Sequence, residues 1–302
     1  MNRAEEIQIL RHAEFLSALA LVTLFATCGC VASSSKRDVE NPYLQEFWRS
    51  EAEGRVFPPV TELMPQMSLH DAYGLQEQIV SARIAKGDKV AGYKGGLMSA
   101  ASLAARHVTE PLTGVLFVSG EARDGAQISL CGYRRAGFEL KLGYVFAREV
   151  RTRIESLGEL RTLVAAVQPV VELPDIAYRD DKTYNAVDMV AANITAAYFV
   201  RGIASSAGAN DLDALDVTLK RDGVEIARGQ GRESLGAQWE SLRTVANLVT
   251  ANGGRIAAGQ IVVTGKMGNK GDLIPGTYSA DYESLGVTTF TVALCSRAID
   301  AR

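Results

Sequence analysis

Apolar runs of about four to eight residues, separated by glycine-containing turns, recur along most of the chain, and this spacing predicts strands. They lie at 90–94, 114–118, 139–146, 167–172, 197–201, 216–220, 224–227, 260–264, 277–281 and 286–291. Arg221, Asp222 and Gly223 stand between two of these runs as a hairpin signal. Helical spacing occurs at 43–53, where Leu44, Phe47 and Trp48 share a face. Ser68, with Asp71 three residues on, predicts the capped start of a second helix that Gly87 ends. Trp239, Leu242, Val245 and Leu248 mark a third at 237–252, closed by Gly253 and Gly254. Many short strands with few helices predict an α+β fold: a mixed, rolled β-sheet domain at 89–302 with a small helical N-terminal lobe at 43–88.

The beginning of the chain has a different pattern. Residues 15–35 carry no charge, and their apolar centre at 16–25 has the length of a signal-peptide core, short of the ~20 residues of a membrane span. Small residues lead to Cys30, and a polar, turn-rich stretch follows at 31–42. The expected organisation is a signal peptide at 1–29 and a tether at 30–42. The stretch resembles a bacterial lipoprotein signal, which implies lipidation at Cys30, export, and anchoring of a periplasmic protein to a membrane. Cys28 is a competing acylation site. Glu5, Glu6 and Glu14 make the leading region unusually acidic, and Thr27 stands where that motif usually has leucine.

Composition excludes some function classes. The 302 residues are 47% hydrophobic and 22% charged, with a formal net charge of -3 and no dense Lys/Arg cluster, so there is no electrostatic footprint for nucleic acid. No Gly-x-Gly-x-x-Gly follows a strand and there is no P-loop lysine motif. Of the four cysteines, Cys131 and Cys295 lie outside the signal, and their spacing fits no zinc pattern. They are expected as buried thiols, with a bridge as the alternative in an oxidising compartment.

The candidate chemistry centres on the run at 139–146. In a strand, Glu139 and Lys141 point to one face, and Glu172 closes the run at 167–172. Acids inside apolar strands are uncommon because an unpaired buried charge is costly. The expectation is a carboxylate pocket with an ammonium inside it. Lys94 ends the run at 90–94 and is a candidate for substrate binding or proton transfer. His70 is expected at the surface in the first turn of its helix, and His107 within reach of the pocket. Neither has a Ser or Cys nucleophile arrangement beside it, so a triad is not supported.

Six strings occur in order: SLHDAYGLQ at 68–76, GYKGGL at 92–97, EPLTGVLF at 110–117, FELK at 138–141, VVE at 170–172 and VVTG at 262–265. Over 68–290 they resemble the 2-keto-4-pentenoate hydratase and 4-oxalocrotonate decarboxylase branch of the fumarylacetoacetate hydrolase superfamily. The resemblance implies that fold. It also implies a Mg²⁺ or Mn²⁺ held by a Glu-x-Glu strand motif and a later Glu. Glu139 matches the first acid and Glu172 the third, while Lys141 stands in the second place. Leu112 follows Pro111 where an acid is usual. Lys94 matches the lysine after Gly-Tyr, and Asn193 and Thr195 match a substrate-binding Asn-x-Ser. The implied catalytic set is thus Lys94, Glu139, Lys141 and Glu172.

Magnitude bears on the metal. At an effective dielectric near 20, a divalent ion about 4 Å from an ammonium is repelled by ~8 kcal/mol. Either Lys141 swings out or it replaces the metal as a fixed cation. A Schiff base from Lys141 is disfavoured, since two carboxylates nearby raise its pKa. The activity implied is that of a 2-oxo acid hydro-lyase: ketonisation of a 2-hydroxy-2,4-dienoate, then addition of water. The decarboxylases share the frame. The alternatives from other classes are a non-catalytic exported protein binding small 2-oxo acids and a structural envelope lipoprotein; under every reading a homo-oligomer is open.

Overall fold

The computed structural model describes residues 41–178, 184–206 and 211–295. The expected signal peptide, Cys28, Cys30 and all but the end of the tether lie outside the described residues. In chain order the elements are α1 (Pro42–Glu53), α2 (Val60–Leu63), α3 (Leu69–Ala85), β1 (Val90–Gly96), α4 (Ala100–Ala105), β2 (Leu112–Phe117), β3 (Glu121–Arg123), β4 (Ala126–Ser129) and β5 (Gly137–Phe146). There follow α5 (Leu157–Leu163), β6 (Val164–Leu173), α6 (Ala186–Ala191), β7 (Tyr198–Arg201), β8 (Ser205–Ser206), β9 (Asp216–Arg221), β10 (Val224–Gln230), α7 (Gln238–Ala251), β11 (Ile261–Val263), β12 (Met267–Asp272), β13 (Gly276–Asp281) and β14 (Val287–Ala293).

Local chemistry accounts for the main helices. Asn41 caps α1 by accepting from the N–H groups of Tyr43 and Leu44, and Pro42 sits in the first turn, where its missing donor costs nothing. Ser68 and Asp71 form a reciprocal capping box on α3. Helix α7 buries Trp239, Leu242, Val245, Ala246 and Val249. The inner stripe therefore continues through Val249 and leaves the expected Leu248 only half-buried, as the 3.6-residue period favours.

The larger sheet runs β2-β1-β11-β5-β6-β7-β3, with β12 also pairing β5 and β8 also pairing β6. It is mixed: β1 pairs β11 and β3 pairs β7 in parallel, the other pairs being antiparallel. A smaller sheet runs β10-β9-β13-β14-β4. Asp222 and Gly223, both at positive φ, turn β9 into β10, which is the expected hairpin. The larger sheet curls tightly, and Gly143 is one reason. A Cβ there would stand 2.5 Å from the Ile261 side chain and 2.7 Å from that of Val170.

The main core lies among the two sheets and α7 and includes Leu140, Leu142, Tyr144, Leu242, Tyr278 and Phe290. A second core joins Tyr43, Phe47, Leu75 and Ile79 of the N-terminal helices to Tyr178, Val190, Ile194 and Leu112. The helical layer thus takes in α6 as well as the segment at 43–88.

Cys131 and Cys295 form a disulfide, and both are exposed. This corrects the expectation of buried thiols. The parallel register of β14 on β4 sets Ala293 beside Ser129, so each cysteine lies two residues past a matched pair. That non-local register is not visible in the spacing of the cysteines. No helix among the described residues is long and apolar enough to cross a membrane.

Candidate active site

Strands β5 and β6 pair so that Glu139 lies opposite Glu172 and Lys141 opposite Val170. The two-residue period puts Glu139, Lys141 and Glu172 on one face. Tyr282, from the loop after β13, fixes this register beneath the site. Its hydroxyl accepts from the Lys141 N–H at 3.3 Å and donates to the Val170 carbonyl at 2.7 Å.

Lys94 comes from β1, which is separated from β6 by β11 and β5. Three strand spacings in a flat sheet would be about 14 Å. Yet the Lys94 ammonium donates directly to Glu172 Oε1, because the curl brings β1 across to face β6. It also donates to the Ile194 carbonyl at 3.0 Å. Gly114 on β2 lets this happen, since a Cβ there would lie 3.0 Å from Asn193 O and 3.2 Å from Lys94 Cγ.

The Lys141 ammonium stands 3.1 Å from Glu139 Oε2 and 2.8 Å from Glu172 Oε2, and donates to the Gly95 carbonyl at 3.2 Å. Its contact with Glu172 is an ion pair outside hydrogen-bonding angles. Lys94, Lys141 and Glu172 are each at most 3% exposed, whereas the Glu139 side chain retains 20% and opens to a cavity. Burial raises the Glu139 carboxyl, but Lys141 and then Lys94 outweigh it and hold it below the usual carboxylate range. Burial, and then the Lys141 charge, push the Lys94 ammonium well below the ordinary lysine range, against the pull of Glu139.

The cavity measures about 330 Å³. Lys94, Glu139 and Lys141 lie in its wall, as do Thr195, Ser99, Ser102, Tyr184, Arg106, Glu233, Lys266 and Lys270. Five cationic side chains against two acidic ones give its wall an excess of positive charge. Arg106 is held by donating to the Tyr184 carbonyl and by stacking 4.3 Å above the Tyr184 ring.

The sequence candidates separate into those that meet here and those that do not. Lys94, Glu139, Lys141 and Glu172 converge. Thr195 lines the cavity, but its hydroxyl donates to the Ile194 carbonyl at 2.7 Å. The Asn193 amide faces the backbone: its oxygen accepts from the Val115 N–H at 2.7 Å and its nitrogen donates to the Val115 carbonyl at 2.8 Å. That grip holds Asn193, Ile194 and Thr195 together at positive φ. Such a run is strained for β-branched residues, and it delivers the Ile194 carbonyl to Lys94. Leu112 is packed in the helical core. His107 is exposed and outside the cavity wall, and His70 is exposed on α3. Arg106, Lys266, Lys270 and Glu233 were not singled out from the sequence; only Lys266, next to the VVTG string, carried any signal.

The implied Mg²⁺ or Mn²⁺ does not fit these residues. A hard cation needs converging oxygens with space between them, and here an ammonium already stands between Glu139 and Glu172. An ion about 4 Å from it would meet ~8 kcal/mol of repulsion at an effective dielectric near 20. Among the described residues no group of three or more His, Cys, Asp or Glu side chains is placed to hold a metal.

No family model matches the chain. It is similar to the 2-keto-4-pentenoate hydratase of Paraburkholderia phymatum, 30% identical over 230 residues, which are 76% of this chain and 87% of the relative. It is likewise similar to the 4-oxalocrotonate decarboxylase of Pseudomonas sp. (strain CF600), 29% identical over 72% of this chain and 83% of that one. Among solved structures, the 4-oxalocrotonate decarboxylase from Pseudomonas putida G7, complexed with magnesium and adipate, superposes with a TM-score of 0.78 at 26% identity. That match covers 82% of this chain and 95% of that one, and the fold is of the fumarylacetoacetate hydrolase type. With 30% identity over three quarters of its length and the curled mixed sheet of that fold, the chain belongs to the 2-keto-4-pentenoate hydratase and 4-oxalocrotonate decarboxylase family.

Proposed function

We propose that the cavity binds a small 2-oxo acid and that the chain is a 2-oxo acid hydro-lyase-like protein of the hydratase type. The observation that carries this reading is the convergence of Lys94, Glu139 and Lys141 in the wall of a small, cationic cavity, with the buried Glu172 paired to both lysines behind them. The reaction moves the enol proton of a 2-hydroxy-2,4-dienoate to its terminal carbon. The resulting 2-oxo-3-enoate then adds water, hydroxide at carbon 4 and a proton at carbon 3. Two ammonium groups favour the negative oxygen that develops on carbon 2. Glu139 is ionised and open to the cavity, so it is the group to orient or deprotonate water. Lys94 has an ammonium proton beyond those given to Glu172 and Ile194. It is the group to bind the oxo oxygen and return a proton.

The Cys131–Cys295 disulfide supports placing this chemistry outside the cytoplasm, since such bridges persist in oxidising compartments. It agrees with the lipoprotein-like signal and Cys30. Lys141 favours a second reading, a non-catalytic exported protein that binds 2-oxo acids. Loss of 2-hydroxypenta-2,4-dienoate absorbance with appearance of a 4-hydroxy-2-oxo acid tests the first. Binding of pyruvate-like acids without turnover would establish the second, and neither binding nor turnover would refute both.

A further inference from the structure

We infer that the Lys141 ammonium is the built-in substitute for the divalent cation of this site, a one-residue exchange of a metal for a side-chain charge. The inference deepens the 2-oxo acid reading and takes its ligand from it. The Lys141 nitrogen has oxygens from three separate chain segments around it: Glu139 Oε2 at 3.1 Å, Glu172 Oε2 at 2.8 Å and Gly95 O at 3.2 Å. It is 2% exposed, and β5 directs it into this position. The shell is one of oxygens converging on a cation, and the cation is covalently part of the chain.

Charge conservation makes the exchange specific. A Glu-x-Glu strand motif with a third Glu gives three negative charges, which a divalent ion and Lys94 balance. With lysine at position 141, two carboxylates face two ammonium groups, and the sum is again zero. Replacing glutamate by lysine changes the local charge by two positive units, which is the charge of the ion removed. A buried quartet tolerates little net charge, so lysine at 141 and a divalent ion are alternatives. Any other neutral or acidic residue there would leave the quartet unbalanced without metal.

The division of labour follows from the surroundings of the two ammonium groups. Two carboxylate oxygens and the Gly95 carbonyl lie within 3.2 Å of the Lys141 nitrogen, so it acts on an anion through its charge. Lys94 retains a donor for a direct hydrogen bond. The test uses the full chain as wild type, Lys141→Glu and Lys141→Gln, stripped with EDTA and titrated with Mn²⁺ while free ion is followed by electron paramagnetic resonance. Lys141→Glu should bind Mn²⁺ at least 100-fold more tightly than wild type, with Lys141→Gln in between, and its melting temperature should rise with Mn²⁺ while that of wild type stays fixed. Micromolar Mn²⁺ binding by wild type would overturn the inference, and so would a folded Lys141→Glu that takes up no Mn²⁺. If Lys141→Glu folds neither with nor without the ion, the wild-type and Lys141→Gln titrations decide: equal Mn²⁺ affinity in those two refutes it. The 2-oxo acid reading fails separately: 2-oxopentanoate binding to no variant, in EDTA or Mn²⁺, would remove the ligand while a Mn²⁺-binding Lys141→Glu upholds the exchange.

Discussion

Glu172→Gln removes the centre of the buried quartet. Glu172 is 1% exposed, and its two oxygens face two different lysines, Oε1 toward Lys94 and Oε2 toward Lys141 at 2.8 Å. At that distance and an effective dielectric near 20, one pair is worth about 6 kcal/mol before the cost of desolvating both ions is set against it. Removing one partner of a buried pair leaves an uncompensated charge and typically costs about 3–5 kcal/mol. The glutamine keeps the shape and one acceptor, so the loss should fall in that range. The single variant Lys94→Met should cost a similar amount for the opposite sign of charge. The double variant restores neutrality, since Lys141 then faces Glu139 alone, and should cost at least ~2 kcal/mol less than the sum of the two. Urea unfolding of the four proteins measures this, provided that the slopes agree. Additive costs would mean that the four groups are not electrostatically coupled, and the charge-balance reasoning would fail.

Reducing the Cys131–Cys295 bridge, or replacing both residues by serine, should cost about 2–5 kcal/mol; dithiothreitol should lower the melting temperature of wild type and leave the Cys131→Ser/Cys295→Ser variant unmoved. Asn193→Ala leaves the buried Val115 N–H and carbonyl without their side-chain partner. It should cost ~2–4 kcal/mol and weaken 2-oxo acid binding by releasing the Ile194 carbonyl from Lys94, both read from unfolding and ligand titrations. Glu139 has a lowered pKa, so its contribution to stability is present above the ordinary carboxylate value and is lost as pH falls through the folded one. The gap between wild type and Glu139→Gln at pH 7 should therefore close as pH drops below about 4; a gap that is constant in pH would show that the Glu139 charge is not stabilised by Lys141 and Lys94.

Most of the strand framework was legible because the apolar runs are short and bounded by glycine. Glu139, Lys141 and Glu172 were legible as a group because the two-residue period and one antiparallel pairing are enough to bring them together. The contact of Lys94 with Glu172 was not, since it depends on the curl of the sheet across β11 and β5. Helices α4, α5 and α6 span only six or seven residues, too few for a helical period to show. The 2.7 Å and 2.8 Å bonds of Asn193 to Val115 join residues 78 positions apart, so nothing local marked its amide as a backbone clamp. The cationic residue Arg106 lies far from Lys266 and Lys270 in the sequence, and only the closed fold brings them to one cavity.

Calorimetric titration of wild type with 2-oxopentanoate, once in EDTA and once in millimolar Mg²⁺, tests most directly whether Lys141 is the cation of this site. The two titrations should give dissociation constants within twofold of each other, because the charge that attracts the acid is already part of the chain. Heat of binding that appears only in Mg²⁺ would show that the site still works through a divalent ion and that Lys141 does not replace it.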